Sequence, residues 1–209
     1  MSYYPVFLEL RDRRCIVIGG GAVAERKVEG LLAAKAAVTV VSPAFTERLT
    51  SLGARGVIEL VARQYQSGDL DGHELAFVAT GDTKLAALIQ REAREKKVWV
   101  NAADDPEHCD FILPSVFRRG PLTVAVATGG ASPALSRLIR EKLESHITAE
   151  YATLAEIAAE ARAELKNRSQ RADPERWHDA LDSSLRQLIR DGKRAAAKAY
   201  LLKKLGSII

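Results

Sequence analysis

The sequence predicts an α/β protein: a parallel sheet with helices on both faces, then a small α+β linking segment and an all-helical end. Three observations carry this. Short apolar runs alternate with helical patterns up to Leu113. Those runs are continuously apolar rather than alternating, as in strands covered on both faces. From about residue 148 onward every segment has helical spacing.

The elements follow in order. Cys15–Ile18 is an apolar strand that ends in three glycines, and residues 22 to 35 form a helix with Ala22, Val23, Lys27, Leu31 and Ala34 setting its faces. Ala37–Val41 is a buried strand closed by Ser42-Pro43, followed by a helix over residues 44 to 52. Residues 57 to 61 and 75 to 79 are the third and fourth strands. Asp82 caps a helix over residues 83 to 96, and Val98–Val100 is the fifth strand. Ser115–Pro121 and Leu122–Ala127 form a hairpin-like pair around Gly-Pro. Ser132-Pro133 then reads as N-cap and first residue of a helix running to about Ile147. Leu154, Ile157, Ala158, Ala161 and Leu165 mark the next helix. Asp173-Pro174 starts another, striped by Trp177, Ala180, Leu181, Leu185, Leu188 and Ile189 and ended by Gly192, and the last covers residues 193 to 205. Three regions result: 1–113, 114–147 and 148–209.

Composition narrows the function classes. The 209 residues are 47% hydrophobic and carry a net charge of +4, with no block of consecutive cations. The basic tail from Arg186 to Lys204 alternates its cations with alanine and leucine, as on a solvated amphipathic helix, so no nucleic-acid partner is expected. No run approaches the roughly 18 apolar residues of a membrane helix. The two cysteines are far apart in sequence, and the chain opens without a basic segment followed by an apolar run. A cytoplasmic location is therefore expected.

Gly19-Gly20-Gly21-Ala22-Val23-Ala24 fits G-x-G-x-x-A between a strand and a helix. Gly19 permits the turn, Gly21 lets backbone approach a pyrophosphate, and Ala24 allows close helix packing. N–H groups near Ala22 and Val23 would face the phosphates at the positive end of the helix. No acidic residue ends the second strand. Ser42 is assigned to the ribose, and the backbone at Pro43 and Ala44 to the adenosine pocket. No arginine sits there for a 2′-phosphate, so NAD is expected rather than NADP.

With these motifs in view, the chain resembles the precorrin-2 dehydrogenase family, which also forms the N-terminal half of siroheme synthases. The resemblance rests on Gly19–Lys27, on Val38-Thr39-Val40-Val41-Ser42-Pro43 and on Val100-Asn101-Ala102-Ala103-Asp104. It continues through Cys109-Asp110-Phe111-Ile112-Leu113-Pro114 and Thr128-Gly129-Gly130-Ala131-Ser132-Pro133. It implies a Rossmann domain, a linking segment, a helical dimerisation domain and a homodimer. It implies oxidation of the tetrapyrrole precorrin-2 to sirohydrochlorin by NAD and, in some members, insertion of ferrous iron to give siroheme. The methyltransferase half of the fused members is expected to be absent.

Asp104 matches the family's proposed catalytic aspartate, and it follows the fifth strand on the side where open α/β sheets bind ligands. Asp105 is its competitor. Asn101 and the Thr80-Gly81 turn are assigned to the nicotinamide side of the cofactor. For a substrate with eight carboxylates, Thr128-Gly129-Gly130 is the expected anion-binding turn, with Arg118 and Arg137 as pairing cations and Arg119 and Arg140 close in sequence. Phosphorylation of Thr128 would place negative charge there and inhibit. His108-Cys109-Asp110 has no second ligand pair, so no fixed metal site is expected, and His108 reads as a surface histidine. A regulatory dimer that binds NAD without turnover is the alternative function; it would need neither Asp104 nor the Thr128 turn.

Overall fold

The computed structural model describes residues 3–103 and 105–206. The chain divides after Leu113 into two compact units, Met1–Leu113 and Pro114–Ile209.

The first unit is a five-stranded parallel sheet. Its strands are β1 (Arg14–Ile18), β2 (Ala37–Val41), β3 (Glu59–Val61), β4 (Leu75–Val78) and β5 (Trp99–Ala102), in the order β3-β2-β1-β4-β5. The crossovers include α1 (Ala22–Ala33), α2 (Glu47–Ala54) and α3 (Thr83–Lys96). Side chains of a strand alternate between faces, and here both faces are buried. Cys15, Val17, Val38, Val40, Leu75 and Phe77 point to one face and meet Ala24, Val28 and Leu31 of α1 and Leu49 of α2. Ile16, Ile18, Val41, Ala76, Val78, Val100 and Ala102 point to the other and meet Ala86, Ile89 and Ala93 of α3. Each fully buried Val or Ile contributes about 1.5–3 kcal/mol relative to exposure.

The free side of β5 is not left open. Asp110 N–H donates to the Val100 carbonyl at 2.8 Å, and Asp110 Oδ2 accepts from Val100 N–H at 2.9 Å. Asn101 Nδ2 donates to the Phe111 carbonyl at 2.9 Å. Cys109 packs into the α3-side core, whereas Phe111 packs into the opposite one and meets Phe77 edge-on, 5.6 Å between centroids. Segment 109–111 thus wraps the sheet edge and satisfies its backbone.

The helix expected over 44–52 starts instead at Glu47, because Thr46 is the N-cap, its Oγ1 accepting from Leu49 N–H at 3.3 Å. Residues 42–45 pack on the glycine turn, as described below. The helix expected over 22–35 stops at Ala33; Lys35, at φ 61°, cannot continue it.

The second unit has an antiparallel hairpin, β6 (Ser115–Arg119) and β7 (Leu122–Val126), paired Ser115 to Val126 through Arg119 to Leu122. Helix α4 (Pro133–His146) packs on both strands. Helices α5 (Glu150–Asn167), α6 (Pro174–Ala180), α7 (Ser183–Arg190) and α8 (Arg194–Gly206) share a core of Ile157, Ala161, Leu165, Ala180, Leu185, Ile189, Ala197, Leu201 and Leu205. The single helix expected from Pro174 to Gly192 is two. Asp182 breaks it by capping α7: its Oδ1 accepts from Leu185 N–H at 2.9 Å, while Oδ2 accepts from the Tyr200 hydroxyl at 2.6 Å. Ion pairs flank this core, Arg186 and Arg190 to Glu150, Arg194 to Glu156 and Glu160, Lys198 to Glu160 and Glu164. Such part-exposed pairs contribute about 0–1 kcal/mol each, so the apolar core, not the ion ladder, holds the helices. They also commit much of the basic tail to carboxylates within the unit.

Asp182→Ala is expected to lower the stability of the second unit by about 1 kcal/mol, the usual cost of an N-cap. The Tyr200 hydroxyl first, and Leu185 N–H second, hold the Asp182 carboxyl below its ordinary range. Its stabilisation is therefore present above the unfolded value and lost as pH falls through the lower folded one. Chemical denaturation at pH 7 and pH 3 checks this: the gap between wild type and Asp182→Ala should shrink at the lower pH.

Candidate functional site

The glycine turn is set by two close approaches. Gly19 has φ 124°, and a Cβ there would lie 2.5 Å from the Ala79 carbonyl oxygen. A Cβ on Gly20 would overlap the Ala44 carbonyl and come within 2.8 Å of Ser42 Oγ. The loops leaving β2 and β4 therefore grip the turn from both sides. Hydrogen bonds hold it: Gly19 N–H to Val41 O at 2.9 Å, Ala79 N–H to Ile18 O at 2.8 Å and Thr46 N–H to Gly20 O at 3.0 Å. The Thr46 hydroxyl in turn donates to Glu25 Oε2 of α1 at 2.6 Å.

Gly21 is different. It is the exposed N-cap of α1, a Cβ there would meet nothing within 4 Å, and no side chain caps the helix. The first-turn N–H groups of Ala22 and Val23 face that open space at the positive end of a twelve-residue helix. This is the provision an anionic pyrophosphate needs.

Beside it lies a cavity of about 360 Å³, at the carboxyl ends of β4 and β5. Val23, Ala79, Thr80, Gly81, Asp82 and Asp105 are among its walls. Thr80 and Gly81 thus stand where the sequence places them, next to the glycine turn. Asp82 is turned away from cofactor chemistry: its Oδ1 accepts from Lys84 and Leu85 N–H at 2.9 and 3.1 Å and caps α3.

Ser42 is 7% exposed and its hydroxyl accepts from Ala44 N–H at 3.5 Å, against the turn. Pro43 and Ala44 are exposed beside it. Asn101 lies within β5 rather than after it and is 6% exposed. Its amide is bound to Phe111 and approaches Cys109, and its Oδ1 accepts from Lys27 Nζ at 3.3 Å. It acts as a strut between α1, β5 and the edge segment. Asp104 lies outside the described residues.

Asp105 and His108 correct the reading of His108 as a surface histidine. The two sit at either end of the short 3-10 turn Pro106–His108, and His108 Nδ1 is 2.7 Å from Asp105 Oδ2. Their side chains are 15% and 25% exposed. The D-x-x-H spacing was the sequence signal for this pair. Cys109, next to them, is a half-buried thiol bonded to Ala102 and Asp105 backbone, and burial pushes its pKa up. That is a packed thiol rather than a nucleophile.

In the second unit, Gly129 and Gly130 both have positive φ, 63° and 88°, in a turn closed by Ala131 N–H to Thr128 O at 3.1 Å. The Thr128 hydroxyl is engaged, accepting from Ser132 N–H at 3.0 Å and lying 3.1 Å from Ser136 Oγ. A phosphate on it would break this staple at the start of α4. Arg118 is exposed on β6. Arg137 is exposed and pairs with Glu141 at 2.9 Å, and Arg140 pairs with Glu141 and Glu144. Arg119 pairs with Glu144 at 3.1 Å.

A glycine turn gripped between two strand exits, an uncapped helix start and a cavity at the carboxyl ends of the strands define a Rossmann-type nucleotide-binding protein. The family model described as "Putative NAD(P)-binding" matches residues 6–115, more than half of the chain, and the chain belongs to that family. A second model, "Sirohaem biosynthesis protein central", matches residues 119–146. Among curated relatives, siroheme synthase of Thioalkalivibrio sulfidiphilus is 42% identical over 98% of this chain and 42% of its own length. That of Methylobacillus flagellatus is 40% identical over 95% of this chain and 43% of its own. The chain therefore spans less than half the length of these relatives. The solved structure of SirC, a precorrin-2 dehydrogenase, is 27% identical with a TM-score of 0.70, covering 99% of this chain and 100% of that one.

The two glycines should respond differently. Gly20→Ala is expected to destabilise the first unit by about 1–3 kcal/mol, because backbone must move. Gly21→Ala should fold normally and weaken NAD binding by about tenfold, close to 1.4 kcal/mol. Thermal denaturation and calorimetric titration with NAD separate the two effects.

Proposed function

We propose that the chain oxidises precorrin-2 to sirohydrochlorin with NAD as hydride acceptor, in siroheme biosynthesis. The observation that carries this is the open, uncapped start of α1 at Gly21 beside the cavity walled by Thr80, Gly81 and Asp105. The backbone of Ala22 and Val23 would hold the pyrophosphate, Ser42 and the backbone at Pro43 and Ala44 the adenosine ribose, and Thr80-Gly81 the nicotinamide side. When bound, NAD supplies the two-electron acceptor. The full-length similarity to a precorrin-2 dehydrogenase supports the substrate assignment.

Asp104 is the proposed catalytic carboxylate. Thr128, Gly129 and Gly130, with Arg118 and Arg137, are proposed to bind the carboxylates of the tetrapyrrole. Ferrous iron enters this reading only as a substrate of a second reaction that yields siroheme. No three His, Cys, Asp or Glu side chains group to hold a metal among the described residues.

A homodimer belongs to the same proposal. Helix α4 presents Leu135, Leu138, Ile139 and Leu143 on one face, 47%, 49%, 36% and 38% exposed. An apolar stripe of this kind on a soluble chain marks a protein contact. The cytoplasm is the proposed compartment, in keeping with two free cysteines. No helix of the described residues is long and apolar enough to cross a membrane.

Anaerobic incubation with precorrin-2 and NAD is expected to yield NADH and the sirohydrochlorin spectrum, with loss of about 100-fold or more in Asp104→Ala. Tight NAD binding without NADH would favour the regulatory dimer instead. For assembly, light scattering should give twice the chain mass for the wild type and a monomer for Leu138→Glu.

A further inference from the structure

A dehydrogenation has two halves. Hydrogen leaves one substrate atom with both electrons, and a proton must leave its neighbour. The proposed function accounts for the first half through NAD, and the second needs a base at the cavity.

We infer that His108, oriented by Asp105, is the base that takes this proton. The inference rests on the proposed dehydrogenase reading and names a further residue for it. Asp105 is a wall of the cavity, and His108 Nδ1 lies 2.7 Å from its Oδ2. A carboxylate accepts, so Nδ1 carries the hydrogen, and Nε2 is left as the basic nitrogen. Among the described residues Nε2 has no hydrogen-bond partner. This is the division of labour of a histidine oriented by a carboxylate: the acid fixes tautomer and ring direction and stabilises the imidazolium that forms.

The pair is held rigidly. His108 N–H donates to Asp105 O at 3.2 Å, closing the 3-10 turn. The Cys109 thiol donates to the same carbonyl at 3.3 Å. Gln90, buried on α3, donates from Nε2 to Glu107 O at 3.3 Å, and Asp110 fastens the next residues to β5. A solvated surface histidine needs none of this framework. Three charged groups bear on the segment: Asp105, Asp110 and Lys27, all of which act on the neighbouring Cys109 thiol.

The step balances. A substrate C–H bond breaks and its hydrogen goes with the electron pair to the nicotinamide. The proton on the adjacent atom passes to Nε2 of His108, the pair it leaves becomes the new double bond, and the imidazolium later releases the proton to water. Asp105 is a positioning residue in this scheme and stays ionised.

The test is the pH dependence of NADH formation from precorrin-2 and NAD by the full chain. His108→Asn keeps a donor where Nδ1 stood and removes Nε2. It should lose about 100-fold in kcat, lose the acid limb of the profile, and bind NAD within twofold of wild type. Asp105→Asn should lose about tenfold and move the acid limb to lower pH, because the imidazolium loses its carboxylate. His108→Ala should regain rate with added imidazole, which guards against a variant that merely folds poorly. Wild-type rate and profile in His108→Asn would overturn the assignment to His108 while leaving the dehydrogenase standing. A wild-type chain that makes no NADH would overturn the dehydrogenase and this step with it.

Discussion

The first unit depends on one steric constraint: three strand exits meet at the glycine turn with no room for a side chain. β1 ends at Ile18, and the next two residues press against the backbone of Ala79 and of Ala44. That approach brings the ends of β2 and β4 to the start of α1, which creates both the open helix start and the cavity next to it. The order β3-β2-β1-β4-β5 requires it, because β1 is central and the chain direction of the crossovers reverses beside it. Ligand sites of open sheets lie at that switch point.

A second constraint works at the other end of the sheet. β5 is an edge strand, yet it carries the loop on which the chemistry is proposed. The edge segment 109–111 replaces a sixth strand, with Asp110 pairing to Val100 and Asn101 reaching Phe111. Lys27 ties that arrangement back to α1 through Asn101. The consequence is a short loop fixed at both ends, and the Asp105–His108 pair inherits that rigidity. Reactive groups held this way lose little orientation freedom on binding, which is where much of enzymatic acceleration arises.

Much of this was legible in the sequence, for identifiable reasons. The buried strands announce themselves because both faces are covered, so β2 is an unbroken apolar run from Ala37 to Val41. Asp82 and Ser132 were readable as caps because a short polar side chain before a helical pattern has a local cause. What was missed depends on contacts between distant residues. Nothing near Thr46 says that residues 42–45 must stay extended against Gly20. The break at Asp182 was hidden because its apolar stripe continues through it, while its partner Tyr200 lies on another helix. Asn101 reads as a loop residue by type, but Phe111 and Lys27 recruit it into the sheet. Gly20 occupies a variable position of the fingerprint, so only the packed structure reveals why it is glycine.

The central claim is that the glycine turn, the uncapped start of α1 and the neighbouring cavity form one dinucleotide site. A crystal structure of the chain with bound NAD tests it most directly. The account expects the pyrophosphate on the Ala22 and Val23 N–H groups above Gly21, and the nicotinamide in the cavity beside Thr80 and Gly81. Cofactor bound elsewhere on the chain, or a pyrophosphate that leaves the start of α1 empty, would contradict it.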